Sequence, residues 1–306
     1  MRVGIIGVGE MGKNHVRVYH ELGAKIVGVA DVDRERATEI ASQYGTKAFT
    51  GYTDLLSQKL DAVSIAVPTH LHREVALATI AQRVNLLVEK PLADTVAHGR
   101  EIVATAEKAG LRLMVGHIER FNPAIQKLKQ ILDDGVLGGL VLLSTRRVGP
   151  FVPRMPDGII IDVATHDIDI VQYLIGSECT SVYARSTRHR NAKGDAALIV
   201  LGFGDVSASV EVNWYTPHKV RSLTVTGTKG IACLDYIKQE VRIYTPTWKV
   251  APKIVGMREP LKLELKHFLD CVKNNRQPMV TGYDGLKVLE IAIRAEQSTV
   301  TGATER

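Results

Sequence analysis

The sequence has few cysteines and no long apolar run. Its three cysteines, Cys179, Cys233 and Cys271, are odd in number and widely spaced. Neither a disulfide framework nor a zinc site is implied, and we expect buried free thiols. No apolar run approaches the roughly eighteen residues of a membrane span, and the first predicted strand begins too early for a signal peptide to precede it. We therefore expect a cytoplasmic protein.

The sequence also lacks a block of lysine and arginine interleaved with aromatic residues, and it has no internal repeat or low-complexity tract. Its net charge of +6 is spread over 306 residues, so nucleic-acid binding is not indicated. The 45% of hydrophobic and 24% of charged residues are typical of a globular protein, and the length allows two domains. The mild positive charge suits an anionic small molecule, and equally a solvated basic surface.

A glycine motif near the start of the chain is the strongest positive feature. An apolar, β-branched run over 2–6 is followed by G-x-G-x-x-G over 7–12, a helical stretch, and a second apolar run over 25–30 that leads to Asp31. In this strand–turn–helix–strand context the motif predicts a dinucleotide site. A glycine-rich turn of some other α/β protein is the alternative interpretation.

Each residue of the motif has its own role in the predicted site. Gly7 permits the tight turn, Gly9 lets the backbone approach a pyrophosphate, and Gly12 lets the helix pack close to the strand. Glu10 and Met11 lie where the amides at the helix start face the phosphates, and the helix dipole favours negative charge there.

Asp31 bears on the choice between NAD and NADP. It lies nineteen residues after Gly12, where such folds place the carboxylate that binds the ribose hydroxyls of the adenosine. A carboxylate there repels a 2′-phosphate, which favours NAD. Arg34 weakens this choice, since a nearby arginine can accept the extra phosphate.

The order of predicted elements gives the fold class. Six apolar strands alternate with helices, which predicts an α/β domain with a doubly wound parallel sheet of the Rossmann type over residues 1–120. From 121 to 306, strands joined by hairpin turns are accompanied by a few helices. This part predicts a C-terminal α+β domain with an open, largely antiparallel sheet.

Polar residues follow two strands of the predicted parallel sheet. Pro68, Thr69 and His70 follow the fourth strand, and Glu89 and Lys90 stand at the end of the fifth. Ligands of open α/β sheets bind outside the carboxyl ends of the strands, so these residues are candidates for the cofactor site. Lys90 is notable because a cation follows an apolar strand, although an ordinary strand-end lysine is the alternative.

A carboxylate and a histidine share a helix predicted over 162–175. Asp162 and His166 are four residues apart and so lie on one face of that helix. A carboxylate can fix the tautomer of a histidine and raise its basicity, which suits a general base; alternatively, Asp162 caps the helix. Asp169 completes a D-x-x-x-H-x-x-D pattern, but no further ligand cluster is evident and we expect no metal.

Together these motifs resemble the glucose–fructose oxidoreductase / inositol dehydrogenase / rhizopine catabolism family (GFO/IDH/MocA). The resemblance covers essentially the whole chain, and Glu89-Lys90-Pro91 followed by Asp162-x-x-x-His166 is its most specific part. It implies an NAD-dependent dehydrogenase of CH–OH groups with a small-molecule substrate. It also implies that the first domain binds NAD, and that the second binds substrate and joins a homo-oligomer of two or four chains.

The resemblance implies roles for individual residues. Lys90 hydrogen-bonds the reacting hydroxyl beside the nicotinamide, His166 accepts the proton, and Asp162 orients His166. Pro91 is implied to follow a cis peptide bond. The residues themselves leave open whether Lys90 or His166 takes the proton.

Two segments narrow the resemblance to the branch of the family that acts on nucleotide sugars. They are 116–123, Gly-His-Ile-Glu-Arg-Phe-Asn-Pro, and 146–154, Arg-Arg-Val-Gly-Pro-Phe-Val-Pro-Arg. This likeness implies oxidation of the 3-hydroxyl of UDP-N-acetylglucosamine. Arginine forks suit a diphosphate, but the sequence does not assign that contact to one arginine. The candidate substrate residues are Arg120, Asn122, Arg146, Arg147, Arg154, Asp162 and His166.

Three other functions fit the same residues. A polyol dehydrogenase of the inositol type would not require the arginine-rich segment. A glycosidase that uses NAD transiently would hydrolyse its substrate without accumulating reduced cofactor. A non-catalytic, cofactor-sensing regulator would need no acid–base residues, so Lys90, Asp162 and His166 argue against it.

Overall fold

The structure is a computed structural model, and the residues that it describes are 1–151, 157–247, 249–250 and 257–306. The chain divides into two compact units: 1–117 with 261–289, and 118–260 with 290–306. The functional domains predicted over 1–120 and 121–306 stay a prediction, because the units are defined by packing and not by what they bind. Within the described ranges, no helix is long and apolar enough to span a membrane.

The first unit contains a six-stranded sheet. Its strands are β1 (Arg2–Ile6), β2 (Lys25–Ala30), β3 (Lys47–Phe49), β4 (Ala62–Ile65), β5 (Asn85–Glu89) and β6 (Leu113–Gly116). All pairs are parallel, in the order β3-β2-β1-β4-β5-β6. β1, β4 and β5 are buried almost throughout, as parallel strands covered on both faces are. The predicted doubly wound sheet is confirmed, and its order reverses between β1 and β4, where such sheets bind ligands.

Helices follow these strands in the first unit. They are α1 (Glu10–Glu21), α2 (Arg34–Gln43), α3 (Tyr52–Leu56), α4 (His72–Ala81) and α5 (Val96–Lys108). Side chains just before two of them fix where they begin. The Asp33 carboxylate accepts a hydrogen bond from the amide of Arg36 at the start of α2, and the Thr95 hydroxyl accepts one from the amide of His98 at the start of α5. Such caps satisfy amides that have no partner within the helix.

The second unit contains an eight-stranded sheet. Its strands are β7 (Leu140–Pro150), β8 (Ser181–Thr187), β9 (Ala196–Phe203), β10 (Val206–Asn213), β11 (Tyr215–Gly227), β12 (Gly230–Asp235), β13 (Glu240–Tyr244) and β14 (Lys249–Val250). Their order is β14-β13-β12-β11-β7-β10-β9-β8. β7 and β10 pair parallel, and the other pairs are antiparallel. The predicted open, largely antiparallel sheet is confirmed.

The same unit contains α6 (Pro123–Asp133), which precedes β7, and α7 (Thr165–Ile175), which lies between β7 and β8. A π-helical turn, Ile160–Ala164, comes directly before α7. The sequence predicts a regular helix from Asp162, and this is wrong for the first residues, because a single wider turn does not interrupt the apolar pattern of a helix. Gly176 ends α7 in the left-handed conformation, with φ of 74°.

The last two helices are α8 (Pro260–Lys273) and α9 (Gly282–Thr301). α9 begins directly against β6: a Cβ on Gly285 would lie 2.6 Å from a methyl carbon of Val115, and one on Gly282 would lie 2.5 Å from Leu113. Glycine at these two positions therefore lets the start of the helix pack on the parallel sheet.

All three cysteines are free. Cys271 is buried on α8, but Cys179 and Cys233 are half-buried, so the expectation of buried thiols is wrong for these two. Cys233 alternates with the buried Ala232 and Leu234 along β12, which turns its side chain to the less covered face of the sheet.

Candidate active site

The turn between β1 and α1 has the geometry that its glycines predict. Gly7 has φ of +83°, and a Cβ there would lie 2.6 Å from the carbonyl oxygen of Ala66. A Cβ on Gly12 would lie 1.8 Å from the carbonyl oxygen of Gly7. Gly9 differs, since no described atom outside its own chain neighbours comes within 4 Å of its Cβ position. The backbone is therefore open at Gly9, which fits a pyrophosphate.

Glu10 and Met11 begin α1 and are exposed. The Glu10 carboxylate forms an ion pair with Lys13 at 2.7 Å. Gly9 is the N-cap residue, so no side chain at that position occupies the first amides of the helix. The amides at a helix N-terminus favour an anionic group.

Asp31 lies after β2 and is held by the backbone. Its carboxylate accepts hydrogen bonds from the amide of Val8, at 2.8 Å, and from the amide of Asp33, at 2.9 Å. Arg34 is exposed, and the guanidinium nearest to Asp31 is that of Arg36, at 3.5 Å. The sequence singles out Arg34 and misses Arg36, because only the helical turn of α2 decides which arginine points back to the carboxylate.

The segment after β4 forms a short 3₁₀ turn, Thr69–Leu71, directly after Pro68. Thr69 is half-buried, and Pro68 and His70 are exposed. Sequence reasoning missed the next residue, His72, which is buried. Its Nδ1 lies 2.8 Å from the carbonyl oxygen of Pro91, and its Nε2 lies 2.9 Å from that of Val67. Burial lowers the pKa of His72, although both carbonyls act in the opposite direction. His72 thereby joins the segments that follow β4 and β5.

Glu89 ends β5 as a buried carboxylate. Its Oε1 lies 2.9 Å from Nε2 of His15 on α1, and its Oε2 accepts from the amide of Lys90 at 3.3 Å. Burial acts to raise the pKa of Glu89, but the hydrogen bond and charge of His15, together with Lys90, outweigh it and lower the pKa. No motif in the sequence points to His15, because its partner is 74 positions away.

Lys90 is half-buried at the carboxyl end of β5. The Lys90–Pro91 peptide bond is cis, as the resemblance implies. The backbone is held on both sides of this residue. The Lys90 amide donates to the Glu89 carboxylate, and the carbonyl oxygen of Pro91 lies within hydrogen-bond distance of His72.

Asp162 and His166 lie in the second unit. Asp162 is within the π-helical turn and His166 is in the first turn of α7, and both are half-buried. The wider turn, rather than a regular α-helix, therefore sets the spacing of the two side chains. Single π-helical turns are frequent at functional sites.

Two of the arginines predicted to contact substrate are buried in ion pairs. Arg120 donates to both carboxylate oxygens of Asp169, the shortest distance being 2.7 Å. Arg147 donates to Asp167 at 2.6 Å and to Glu119 at 2.9 Å. Burial opposes the charge of Arg147, but these two carboxylates raise its pKa well above the ordinary value.

The other predicted substrate residues differ in exposure. Arg146 is on β7 with its side chain about half exposed, and it pairs with Glu211 on β10 at 3.1 Å. Asn122 is buried, caps α6 and donates to the carbonyl oxygen of Tyr236 at 3.1 Å. Arg154 lies outside the described residues.

Two family models match this chain. Residues 1–117 match the model of an oxidoreductase family with an NAD-binding Rossmann fold, named GFO/IDH/MocA. Residues 125–233 match the GFO/IDH/MocA C-terminal domain.

Curated relatives and solved structures agree with those models. The chain is 31% identical to UDP-N-acetylglucosamine 3-dehydrogenase of Acidithiobacillus ferrooxidans, and the match covers 96% of each chain. It is 30% identical to scyllo-inositol 2-dehydrogenase (NAD(+)) of Bacillus subtilis, over 99% of this chain and 95% of the relative. Two solved structures of the Acidithiobacillus enzyme give TM-scores of 0.91 and 0.92 at 29% identity, each covering 98% of both chains.

Proposed function

Since the chain belongs to the GFO/IDH/MocA oxidoreductase family, we propose that it oxidises the 3-hydroxyl of UDP-N-acetylglucosamine to a ketone. The chain is an NAD-dependent dehydrogenase of CH–OH groups with a small-molecule substrate. The substrate is the proposed part. It is supported by the match to UDP-N-acetylglucosamine 3-dehydrogenase, which extends over 96% of both chains.

The glycine turn and its neighbours are suited to hold NAD. We propose that the pyrophosphate lies against the open backbone at Gly9 and the first amides of α1, that Asp31 binds the adenosine ribose, and that Arg34 lies at the rim. We further propose that Thr69, His70 and Glu89 line the nicotinamide end. When bound, NAD supplies the ring that accepts the hydride from the substrate carbon.

Three side chains are proposed to act on the substrate hydroxyl. Lys90 donates a hydrogen bond to the hydroxyl oxygen and holds it in place. An imidazole nitrogen of His166 accepts the hydroxyl proton while the C–H bond breaks, and Asp162 orients that imidazole and stabilises its charged form. The half-buried positions of all three suit groups that must contact a ligand and still be held by the fold.

A substrate panel tests the proposed substrate. The enzyme is incubated with NAD and, separately, with UDP-N-acetylglucosamine, N-acetylglucosamine, scyllo-inositol and myo-inositol, and the absorbance of reduced cofactor is followed. We expect turnover of UDP-N-acetylglucosamine, with the 3-keto sugar nucleotide found by mass spectrometry. Turnover of the inositols without any of the nucleotide sugar would contradict the proposal.

A second candidate function is a polyol dehydrogenase of the inositol type. It is supported by the 30% identity to scyllo-inositol 2-dehydrogenase over 99% of this chain. Arg120 and Arg147 also pair with buried carboxylates. Two of the arginines predicted to bind a diphosphate therefore already have anionic partners, and an inositol would not need them. The same panel distinguishes the two candidates, because an inositol carries no phosphate.

Variants test the proposed catalytic residues. Lys90→Ala and His166→Ala should each lower kcat by about 100- to 10,000-fold, the usual worth of a positioned acid–base group, while NAD binding measured by calorimetry is retained. His98→Ala is the matched control, because His98 on α5 pairs with Asp94, just before that helix, at the same four-residue spacing and with both side chains partly exposed. Full activity of both variants would show that the catalytic assignment is wrong.

We also propose that the chain forms a homo-oligomer through the sheet of the second unit. Antiparallel sheets with a solvated face usually carry polar residues on it, but here large apolar side chains are exposed. They are Leu142, Tyr183, Leu198, Val200, Ile231 and Tyr244. Large apolar side chains exposed on one face of several strands are typical of an interface, and a second copy offering the same face would cover them symmetrically.

A further inference from the structure

A cavity in the second unit is lined by cations that the arguments above do not use. Its volume is about 400 Å³, within the range of small-molecule sites, about 300–1,000 Å³. Lys219 and Arg221 of β11 line it, together with residues of the 118–122 segment and of the β12–β13 turn, among them Glu119, Asn122, Tyr236 and Gln239. Two basic side chains that lie two residues apart on one strand point to the same face of the sheet.

The register of the sheet places Arg221 directly opposite Arg147 on β7. The two arginines differ in how their charge is balanced. Arg147 is buried and bound to Asp167 and Glu119, whereas Arg221 is 41% exposed and comes only within 3.8 Å of Glu119. The nearby carboxylates therefore balance the charge of Arg147. Arg221 lines the cavity without a close carboxylate partner.

The charges around the cavity leave an excess of one cation. Glu119 and Asp167 face Arg147, Arg221 and Lys219, and Lys219 has no ion pair with any described residue. Burial, and next the charge of Arg147, lower the pKa of Arg221. Since its charged form is disfavoured by its present neighbours, an anion beside Arg221 would be stabilised.

Tyr236 adds an independent observation. The residue lines the cavity and is only 3% exposed, and its hydroxyl has no hydrogen-bond partner among the described residues. A buried hydroxyl without a partner is costly. The guanidinium of Arg147 lies over its ring at 5.1 Å, so the ring is held in place, and no described group competes for the hydroxyl.

We propose that this cavity binds a phosphate or diphosphate group, with Arg221 and Lys219 as its cationic contacts and the Tyr236 hydroxyl as a neutral donor. Glu119 also lines the cavity, but Arg147 balances its charge at 2.9 Å and the Asn122 amide donates to its other oxygen at 3.4 Å, so Arg221 is not its main partner. Only the identity of the bound molecule rests on the proposed function. If the substrate is the nucleotide sugar, its diphosphate is the group that binds in this cavity.

Calorimetric titration tests the site without turnover. Pyrophosphate, UDP and uridine are each titrated into the enzyme at saturating NAD, so that the glycine turn is already filled. We expect pyrophosphate and UDP to bind and uridine to bind much more weakly. Binding of neither anion, or equal binding of uridine and UDP, would overturn the proposal.

Variants locate the binding. Arg221→Gln should weaken both anions by about tenfold or more, as loss of a charged hydrogen bond does, and Lys219→Gln by a smaller factor. Lys229→Gln is the matched control, since this exposed lysine lies in the turn at the other end of β11 and should bind like the wild type. Equal anion binding by wild type and Arg221→Gln would overturn the proposal.

Tyr236→Phe separates a binding role from a structural one. Removal of a hydroxyl without a partner should leave thermal stability unchanged or slightly higher, while anion affinity falls severalfold. Unchanged affinity would remove Tyr236 from the site. Enzyme that binds pyrophosphate through Arg221 but does not oxidise UDP-N-acetylglucosamine would contradict the proposed function and leave the anion site supported.

Discussion

At the scale of single residues, the buried carboxylate of Glu89 makes the stability of the first unit depend on pH. Burial acts to raise its pKa, but His15 and Lys90 outweigh burial and the pKa is lowered. A depressed carboxylate pKa contributes stability that is present above the unfolded value, about 4.3, and is lost as pH falls through the folded value. Acid should therefore remove this contribution.

Glu89→Gln tests this dependence. The variant should be less stable at neutral pH by about 1–3 kcal/mol, because His15 loses a charged partner, and its stability should fall less steeply in acid than that of the wild type. Urea unfolding over a series of pH values measures both effects. Glu35→Gln, an exposed glutamate on α2, is the control and should follow the wild-type curve, whereas an unchanged acid slope in Glu89→Gln would contradict the argument.

The sequence identifies candidate residues by type and by position along the chain, but it does not show their partners. Arg120 and Arg147 stand in segments typical of a phosphate site, yet their carboxylates, Asp169 and Asp167, are 49 and 20 positions away. Arg221 gives no signal in the sequence, since only the β7–β11 register places it beside Arg147. Local motifs such as the glycine turn are predictable because all their contacts are local.

At the scale of elements, the turn between β1 and α1 separates a glycine needed for folding from one needed for binding. A Cβ on Gly12 would lie 1.8 Å from the carbonyl oxygen of Gly7, whereas the Cβ position of Gly9 is open and its φ is −68°. Gly12→Ala should therefore destabilise the protein by roughly 1–3 kcal/mol.

Gly9→Ala should fold with wild-type stability and lose most of its NAD affinity, because the methyl group occupies the space where the pyrophosphate approaches the backbone. Thermal unfolding without cofactor and calorimetric titration with NAD measure the two effects. The wild type is the reference for both measurements. Wild-type NAD affinity in Gly9→Ala would show that the cofactor does not approach this residue.

The elements that the sequence predicts well are those whose pattern repeats over several residues. The apolar runs of β4, β5 and β9 and the alternation along β13 each identify a strand. The π-helical turn at Ile160–Ala164 is different, because it adds width to one turn without altering the apolar pattern. Its position beside Asp162 is thus visible only in the structure.

At the scale of the whole molecule, the sequence order does not give the packing order. Residues 261–289 belong to the first unit although they follow the strands of the second in the chain. Lys262 of α8 pairs with Glu21 of α1 at 2.8 Å, and Arg112 donates to Asn275 at 3.1 Å. A helical pattern shows that a helix has an apolar face, but not which sheet it covers.

The exposed face of the eight-stranded sheet leads to a prediction about assembly. Leu198 and Val200 of β9 are 52% and 43% exposed, and a chain that remained monomeric would keep this apolar face in water. We expect light scattering coupled to gel filtration to give a mass that is a multiple of 33.5 kDa. Leu198→Arg with Val200→Arg should yield monomers, because the symmetry of an isologous interface introduces four buried charges for two substitutions per chain. Val300→Arg, at a position 79% exposed near the end of α9, should leave the mass unchanged. A wild-type monomer, or an oligomer that survives the double substitution, would show that this face is not the interface.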